Sequence, residues 1–237
     1  MDMADAQPIA LVTGGAGNLG RAVAEALAAR GGTVVVLDRQ DAPLAEVVAA
    51  LPGAGHGRLA GVDLADAAAC DAAVAEVMRR HGRIDAVVHT VGGFAAASIA
   101  EGGAAMFEAM FRINVLTTAN LFRAAAVAMQ PAGRGSLVAG GAMTGLRGSA
   151  GLAAYSAAKS GVLRLVESFA EELKPAGLRV SAVLPGTIDT PQNRAAMPGA
   201  DSSGWVAPSQ VAEAIAFLVS DAASGITGAL LPVTARG

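Results

Sequence analysis

The sequence predicts one doubly wound α/β domain, in which a parallel sheet of about seven strands is covered by helices on both faces. Short runs of β-branched residues alternate with long alanine-rich stretches, as in successive βαβ units. Several of the short runs are apolar throughout, as expected of parallel strands that are buried on both faces. The length of 237 residues suits one such domain, so we expect residues 1–237 to form a single unit.

Seven strands are predicted from the apolar runs, at residues 9–13, 33–37, 58–62, 84–89, 135–139, 178–184 and 228–232. Six helices are predicted around them, at residues 18–30, 42–51, 66–81, 105–129, 151–174 and 209–220. Glycine and proline mark helix ends, since Gly31 and Gly32 follow the first helix and Pro175 follows the fifth. Residues 187–207 are rich in Pro, Gly, Asp and Ser, and only one helix and one strand follow them. This segment is predicted to be a long substrate loop.

Charge and composition exclude several classes of function. The 17 basic and 20 acidic residues give a net charge of −3 with no basic stripe, which argues against nucleic acid as a partner. The single cysteine, Cys70, is typical of a reducing compartment. The three histidines lack the spacing of metal ligands, so no metal site is predicted. No segment holds about 18 consecutive apolar residues, and the acidic start does not resemble a signal peptide. We therefore expect a cytoplasmic protein that acts on a small molecule.

A glycine-rich turn follows the first predicted strand and leads directly into the first predicted helix. Glycine at such a turn lets the backbone approach a pyrophosphate, whose charge then lies at the helix N-terminus. The residues of this turn that we expect to contact a dinucleotide are Gly14, Gly17, Asn18, Leu19 and Gly20. The position of the turn between a strand and a helix predicts a dinucleotide-binding fold of the Rossmann type.

Asp38 ends the second predicted strand, at the distance from the turn where a carboxylate hydrogen-bonds the ribose 2′-hydroxyl of NAD(H). A 2′-phosphate beside this carboxylate would be repelled by roughly 4 kcal/mol in a partly dry site. The neighbouring Arg39 would instead attract a 2′-phosphate. Asp38 carries more weight, so NAD(H) is favoured and NADP(H) stays an alternative. Asp63 and Leu64, at the end of the third strand, are placed to cap the adenine.

Tyr155 and Lys159 are four residues apart on a predicted helix, so both side chains project from one face. A phenol needs a lowered pKa to exchange protons near neutral pH, and a neighbouring ammonium has that effect. Tyr155 is the only tyrosine of the chain. The pair therefore indicates acid–base chemistry next to the dinucleotide site.

Together these motifs resemble the short-chain dehydrogenase/reductase family, and the resemblance covers essentially the whole chain. It implies an NAD(P)H-dependent oxidoreductase in which Tyr155 donates or accepts the proton. It also implies that Lys159 holds the nicotinamide ribose and lowers the tyrosine pKa, while Asn114 anchors a water of the proton relay. The further cofactor contacts that the resemblance implies are Gly92, Pro185, Gly186, Ile188 and Thr190.

The sequence departs from the family pattern at three places. Asn18 stands where the glycine motif usually has glycine, although asparagine tolerates left-handed backbone better than most residues. Residues 89–92 read His-Thr-Val-Gly instead of Asn-Asn-Ala-Gly. Ala142 occupies the position of the catalytic serine, thirteen residues before the tyrosine. Loss of one such donor typically costs about 3–4 kcal/mol of transition-state stabilisation, unless Thr144 or a water replaces it.

Within the family, the chain is similar to dihydropteridine reductase-like members, which also lack the serine. The segments that carry this similarity are residues 92–95, 137–142, 184–198 and 200–205. The resemblance implies a small conjugated acceptor such as a quinonoid dihydropterin, which presents no isolated carbonyl oxyanion to stabilise. The alternatives are a ketone or alcohol dehydrogenase that uses Thr144 or water in place of the serine, and a non-catalytic NAD-binding module.

Four side chains are candidates for contact with the substrate, namely Phe94, Thr144, Met197 and Trp205. The aromatic and methionine side chains also suit a purely structural role as hydrophobic anchors of the loop. The alanine-rich helices at 105–129 and 151–174 carry small residues on several faces, as helices do when they pack against a partner. We therefore expect a homodimer or homotetramer built on these two helices.

Overall fold

One parallel sheet forms the centre of the protein in the computed structural model, which describes residues 7–235. Its strands are β1 (Ile9–Thr13), β2 (Thr33–Leu37), β3 (Gly57–Leu59), β4 (Ala86–His89), β5 (Gly135–Gly140), β6 (Leu178–Pro185) and β7 (Leu230–Val233). They lie in the order β3-β2-β1-β4-β5-β6-β7, and every neighbouring pair is parallel. The predicted fold class is confirmed.

Helices cover both faces of the sheet. They are α1 (Asn18–Ala28), α2 (Asp41–Ala50), α3 (Ala67–His81), α4 (Ala104–Met110), α5 (Thr117–Met129), α6 (Ala153–Leu173), α7 (Pro191–Ala196) and α8 (Pro208–Val219). Buried residues of α1, α2 and α8 join the core on one face, and those of α3, α5 and α6 join the core on the other. Strands β1, β2 and β4 are buried along their whole length, which explains why their sequences are apolar without alternation.

The order of the strands determines where a ligand can bind. From β1 the chain first builds outward through β2 and β3, and then returns to place β4 on the other side of β1. The loops that follow β1 and β4 therefore diverge and leave a crevice outside the carboxyl ends of these two strands. Open α/β sheets bind their ligands at such a switch point.

The predicted continuous helix at 105–129 is wrong in one respect, because a π-helical turn at Phe111–Leu116 separates α4 from α5. Apolar periodicity does not reveal such a turn, since one extra residue leaves the general helical pattern intact. The predicted loop at 187–207 also contains a short helix, α7. Pro191 suits its first turn, and the hydroxyl of Thr190 accepts a hydrogen bond from the N–H of Asn193 at 3.2 Å.

Candidate active site

A cleft lies at the carboxyl ends of β1, β2 and β4. It brings together ten residues that the sequence predicted as cofactor contacts, namely Gly14, Gly17, Asn18, Leu19, Gly20, Asp38, Asp63, Leu64, Gly92 and Thr190. Four others, Lys159, Pro185, Gly186 and Ile188, do not line it. The lining includes residues that the sequence reasoning missed, namely Val62, Thr90, Val91, Ile113 and Thr117. Thr90 and Val91 directly follow β4, so the topology alone could have indicated them.

The glycine turn is built by close backbone contacts. Gly14 has a left-handed φ of 73°, and a Cβ there would lie 2.5 Å from the hydroxyl oxygen of Thr90. A Cβ at Gly20 would lie 2.1 Å from the carbonyl oxygen of Gly14. Only glycine fits at these two positions, and the turn leaves the N-terminus of α1 open towards the cleft. This cradle suits a pyrophosphate.

Asn18 does not use the left-handed conformation that the sequence suggested for it. It is the first residue of α1, and its Nδ2 donates a hydrogen bond to Oε1 of Gln192 on α7 at 2.7 Å. Among residues 7–235, only Ala235 combines a side chain with a positive φ. The asparagine therefore links the glycine turn to the substrate loop.

The carboxylate of Asp38 is held at the wall of the cleft by two backbone N–H groups. Oδ2 accepts from Ala16 at 3.2 Å, and Oδ1 accepts from Arg39 at 2.7 Å. Arg39 also lines the cleft, so a negative and a positive side chain stand side by side. Because backbone donors fix the carboxylate, this wall presents a negative charge to any group that binds there.

Lys159 is buried and its ammonium donates to the carbonyl oxygen of Gly140 at 2.8 Å. Burial lowers the pKa of Lys159 to about 8. The Nζ atom lies 5.9 Å from the centre of the Tyr155 ring. Burial raises the pKa of Tyr155 above its usual value near 10, which is the opposite direction to the lowering that the sequence analysis expected. The phenol is therefore neutral at pH 7 and able to donate a proton.

Asn114 lies in the π turn and contacts the chain just after β4. Its Nδ2 donates to the carbonyl oxygens of Met110 at 3.0 Å and Gly93 at 3.1 Å, and its Oδ1 accepts from the N–H of Gly93 at 3.2 Å. A Cβ at Gly92 would lie 2.8 Å from Oδ1 of Asn114 and 3.2 Å from Nζ of Lys159. Three residues that are far apart in the sequence thus meet at one point.

Ala142 is buried directly after β5 and brings no hydroxyl to the site. Thr144 follows in a short 3-10 turn, Met143–Gly145, that packs against α6. Its hydroxyl is shielded from solvent and has no hydrogen-bond partner in the part of the chain that the structure describes. The hydroxyl of Thr144 is thus free of other hydrogen bonds, as a replacement donor must be.

The four candidate substrate residues differ in their surroundings. The ring of Phe94 is 65% exposed and meets the ring of Tyr155 edge to face, with centroids 5.0 Å apart. Trp205 is half-buried and Met197 is exposed, and neither lines the cleft. Phe94 is therefore the candidate that the structure brings next to the tyrosine.

The substrate loop is ordered by its own hydrogen bonds. The N–H of Asp189 donates to the carbonyl of Val206, and the N–H of Val206 donates to the carbonyl of Thr187, both at 2.8 Å. Arg194 forms a two-point ion pair with Asp189 at 2.6 and 2.7 Å. These bonds join the beginning and the end of the loop, so that it crosses beside the cleft as one folded segment.

Residues 7–235 show neither a metal-binding cluster nor a membrane-spanning helix. Within residues 7–235, no three His, Cys, Asp or Glu side chains are grouped so that they could hold a metal ion. Over the same range, no helix has the length and apolar character needed to cross a bilayer.

Comparison with known proteins identifies the family. The model of the short chain dehydrogenase family matches residues 8–200. The chain belongs to this family. It is therefore an oxidoreductase that uses a nicotinamide cofactor, which agrees with the cradle formed by the glycine turn.

Two curated relatives align over almost the whole chain. Cis-4-hydroxycyclohexanecarboxylate dehydrogenase from Sinomonas cyclohexanicum is 37% identical, covering 98% of this chain and 97% of the relative. The 3-oxoacyl-[acyl-carrier-protein] reductase FabG of Escherichia coli (strain K12) is 30% identical and covers 95% of both chains. The solved structure of NAD+-bound xylitol dehydrogenase superposes with a TM-score of 0.88 at 26% identity, over 95% of this chain and 97% of that chain.

The expected similarity to dihydropteridine reductase-like members has no support in these comparisons. The two curated relatives are a hydroxycyclohexanecarboxylate dehydrogenase and an acyl-carrier-protein reductase. The sequence resemblance depended on the substrate loop and on Ala142, whereas the relatives match over nearly the full length. The comparisons therefore support the short-chain dehydrogenase family, but not its dihydropteridine reductase-like members.

The buried Lys159 gives the first testable prediction. Because its pKa is about 8 in the folded protein and 10.5 as an ordinary lysine, the unfolded chain binds the proton more tightly. The charged lysine therefore destabilises the fold below pH 8, and stability is regained as the pH rises from 8 to 10.5. We expect Lys159→Met to raise the free energy of unfolding at pH 7 by about 3 kcal/mol, with a smaller gain at pH 10, measured by urea unfolding.

The second lysine of the chain provides the control. Lys174 is exposed, so Lys174→Met should change the free energy of unfolding by less than about 0.5 kcal/mol at pH 7. A Lys159→Met variant that is less stable than the wild type at pH 7 would mean that the hydrogen bond to Gly140 outweighs the cost of burial.

Proposed function

We propose that the protein is an NAD(H)-dependent dehydrogenase that interconverts a small cyclic secondary alcohol and its ketone, with Tyr155 as the proton donor and acceptor. The observation that carries this proposal is the meeting of Tyr155, Lys159, Asn114 and Gly92 beside the cleft. The relative that acts on a hydroxycyclohexanecarboxylate supports the substrate class.

The side chains have separate roles in this reaction. The nicotinamide cofactor, when bound, supplies or accepts the hydride. In the direction of reduction, the neutral phenol of Tyr155 donates its proton to the substrate oxygen. The ammonium of Lys159, 5.9 Å from the centre of the Tyr155 ring, places a positive charge near the phenolate that the transfer leaves, and Asn114 fixes the backbone at residue 93. In the direction of oxidation Tyr155 must lose its proton first, so oxidation should be favoured at higher pH.

A second candidate substrate is a conjugated imine-type acceptor such as a quinonoid dihydropterin, and Ala142 is the observation that favours it. A ketone develops negative charge on its oxygen during hydride transfer, and a hydrogen-bond donor at this position stabilises that charge. Ala142 provides none, and a conjugated ring acceptor needs none. For a ketone, the unpartnered hydroxyl of Thr144 or a water would take the place of the serine.

Ala142→Ser distinguishes the two substrate classes. With a cyclic ketone and NADH, the added hydroxyl should raise kcat/KM by roughly ten- to a hundredfold, because the oxyanion gains a donor. With a quinonoid dihydropterin it should have no such effect. The measurement is NADH oxidation by the wild type and the variant with both substrates, with Tyr155→Phe as the variant expected to lose about a hundredfold or more.

Thr144→Val serves as the matched test of the replacement donor. If Thr144 supplies the hydrogen bond, this variant loses ketone turnover and Ala142→Ser restores it in the same background. Wild-type turnover of the dihydropterin without turnover of any ketone or alcohol would reject the lead proposal. Equal turnover by the wild type and Tyr155→Phe would point to a non-catalytic NAD-binding module.

The preference for NAD(H) is proposed from the carboxylate of Asp38, which backbone donors hold at the cleft wall. Repulsion of a 2′-phosphate by roughly 4 kcal/mol corresponds to a large discrimination against NADP(H). We expect Asp38→Ser to lower the ratio of kcat/KM for NADH over NADPH by about a hundredfold or more. Steady-state kinetics with each cofactor measure this ratio.

Asp41→Asn is the control for this prediction, because Asp41 is exposed, pairs with Arg58 and does not line the cleft. It should leave the cofactor ratio unchanged. A wild type that prefers NADPH, and loses that preference in Arg39→Ala, would show that Arg39 rather than Asp38 decides the cofactor.

We also propose that the protein forms a homodimer or homotetramer through the surface of α4, the π turn and α6. A mostly apolar depression there is lined by Phe107, Phe111, Leu116 and three alanines of α6, together with Glu108 and Arg112, and the two phenylalanines are 45% and 50% exposed. Contiguous apolar surface of this kind is typical of an interface between subunits.

The oligomer prediction is tested with one charged substitution. Phe107→Glu should dissociate the assembly, because it places a charge in the apolar contact. Ile99→Glu, at an exposed apolar residue outside this surface, should leave the sedimentation coefficient unchanged. Sedimentation velocity at micromolar concentration measures both, and a monomeric wild type would reject the proposal.

A further inference from the structure

His89 is a buried polar residue that the reaction proposed above does not use. It ends β4, its side chain is 1% exposed, and its ring lies edge to face against Phe122 with centroids 6.3 Å apart. Burial, together with the charge of Lys159, lowers its pKa to about 3, so the imidazole is neutral. The position belongs to the segment at which this sequence departs from the family pattern.

The ring of His89 is hydrogen-bonded on both sides. Nδ1 lies 2.8 Å from the hydroxyl oxygen of Thr13, at the end of β1, and Nε2 lies 3.2 Å from the hydroxyl oxygen of Thr117, at the start of α5. A neutral imidazole has one N–H donor and one bare acceptor nitrogen. The partners of the two threonines decide which nitrogen carries the proton.

Thr117 has a single hydroxyl proton, and its oxygen lies 2.7 Å from the carbonyl oxygen of Ile113, which only accepts. The hydroxyl therefore donates to Ile113 and must accept from Nε2–H of His89. Nδ1 is then bare and accepts from the hydroxyl of Thr13. The result is one directed chain of hydrogen bonds from the end of β1, through His89 and Thr117, to the π turn.

The far end of this chain supports the turn that carries Asn114. The carbonyl oxygens of Ile113 and Asn114 lie in the π turn and accept from the hydroxyls of Thr117 and Thr118, each at 2.7 Å. Threonine hydroxyls thus hold two successive carbonyls at the place where the helix widens. Since His89 orients Thr117, it also fixes one side of this support.

We propose that His89 is a positioning residue, which holds the π turn through Thr117 so that Asn114 keeps its contacts beside Lys159. The chain of hydrogen bonds also ties the π turn to Thr13, which directly precedes the glycine turn. Its kinetic consequence rests on the proposed function, whereas the network itself does not.

The network is tested first by NMR, without any substrate. With only three histidines in the chain, 15N-histidine labelling resolves His89, and we expect a proton on Nε2 and none on Nδ1. The side-chain amide protons of Asn114 should exchange slowly in the wild type and roughly tenfold or more faster in His89→Asn and Thr117→Val. A proton on Nδ1, or unchanged exchange at Asn114 in Thr117→Val, would overturn the proposal.

Ser136→Ala is the matched control. Ser136 is buried in the same sheet and its hydroxyl donates to the carbonyl of Leu218 at 3.2 Å, away from the cleft. It loses one buried hydrogen bond, as Thr117→Val does, and should leave the exchange at Asn114 unchanged. Thr117→Ser keeps the hydroxyl and should leave the exchange at Asn114 as slow as in the wild type, so the test stands even where His89→Asn fails to fold.

Kinetics then test the consequence for the reaction. His89→Asn and Thr117→Val should each lower kcat by roughly ten- to a hundredfold, because a displaced Asn114 no longer fixes the backbone at Gly93 beside Lys159. Ser136→Ala should not. The double variant should lose no more than the larger single loss, since the two residues act through one chain. Full additivity, or a loss of kcat that Thr117→Ser does not rescue, would overturn the positioning role.

The two kinds of failure are distinguishable. If the wild type turns over none of the substrates named above, the proposed function fails, and the NMR experiment still decides whether His89 and Thr117 hold Asn114. If the wild type is active and the exchange at Asn114 does not respond to either substitution, the proposed function stands and the role of His89 is rejected.

Discussion

Keeping an ammonium group away from water costs free energy unless other contacts replace the lost hydration. In this protein the ammonium of Lys159 has one hydrogen bond to a carbonyl at the end of β5 and is otherwise enclosed by the site. The neighbouring elements are shaped around it, since glycine at residue 92 leaves the space that a side chain would fill. The reduced pKa of Lys159 shows that this arrangement does not fully compensate the burial. The fold therefore carries a local cost at the place where its chemistry is proposed.

Because Ala142 has no hydroxyl, fewer side chains are available to hold the reacting oxygen of a substrate. A site with a serine holds the reacting oxygen from two sides, through the serine and the tyrosine. Here the tyrosine stands without that partner, so its own placement becomes more important. The exposed ring of Phe94 packs against the ring of Tyr155, and the buried hydrogen bonds of His89 connect the end of β1 to the helix that follows the π turn.

Much of the fold could be predicted from the sequence because its central strands are buried on both faces. The bounds of β1 and β2 were predicted correctly, because each is a short apolar run next to glycine, as expected of a central parallel strand. The glycine turn and Asp38 were found because their spacing follows from the geometry of a strand, a turn and a helix. Tyr155 and Lys159 were found because a helix places residues four apart on one face.

The parts that escaped prediction depend on contacts between distant segments. Nothing local in the sequence distinguishes Thr117 from other threonines on helices, and its role appears only when β4 places His89 beside it. The π turn lies beside the same hydrogen bonds, and the hydrophobic periodicity of the sequence shows no break at its position. The contact of Phe94 with Tyr155 joins a loop to a helix 61 positions later. The sequence of the substrate loop resembled that of dihydropteridine reductase-like members, whereas the relatives match over the whole fold. This fold is common to enzymes with many different substrates, so it does not identify the substrate.

The hydrogen bond between Asn18 and Gln192 joins the first residue of α1 to α7, 174 positions later in the sequence. Both side chains are exposed to water, so the bond contributes only about 1 kcal/mol. Such a bond ties α7 to the first residue of α1, and little free energy is needed to break it. During synthesis the contact forms only after most of the chain has been made. The glycine turn and the segment that Asn18 contacts are therefore made at well-separated times during synthesis.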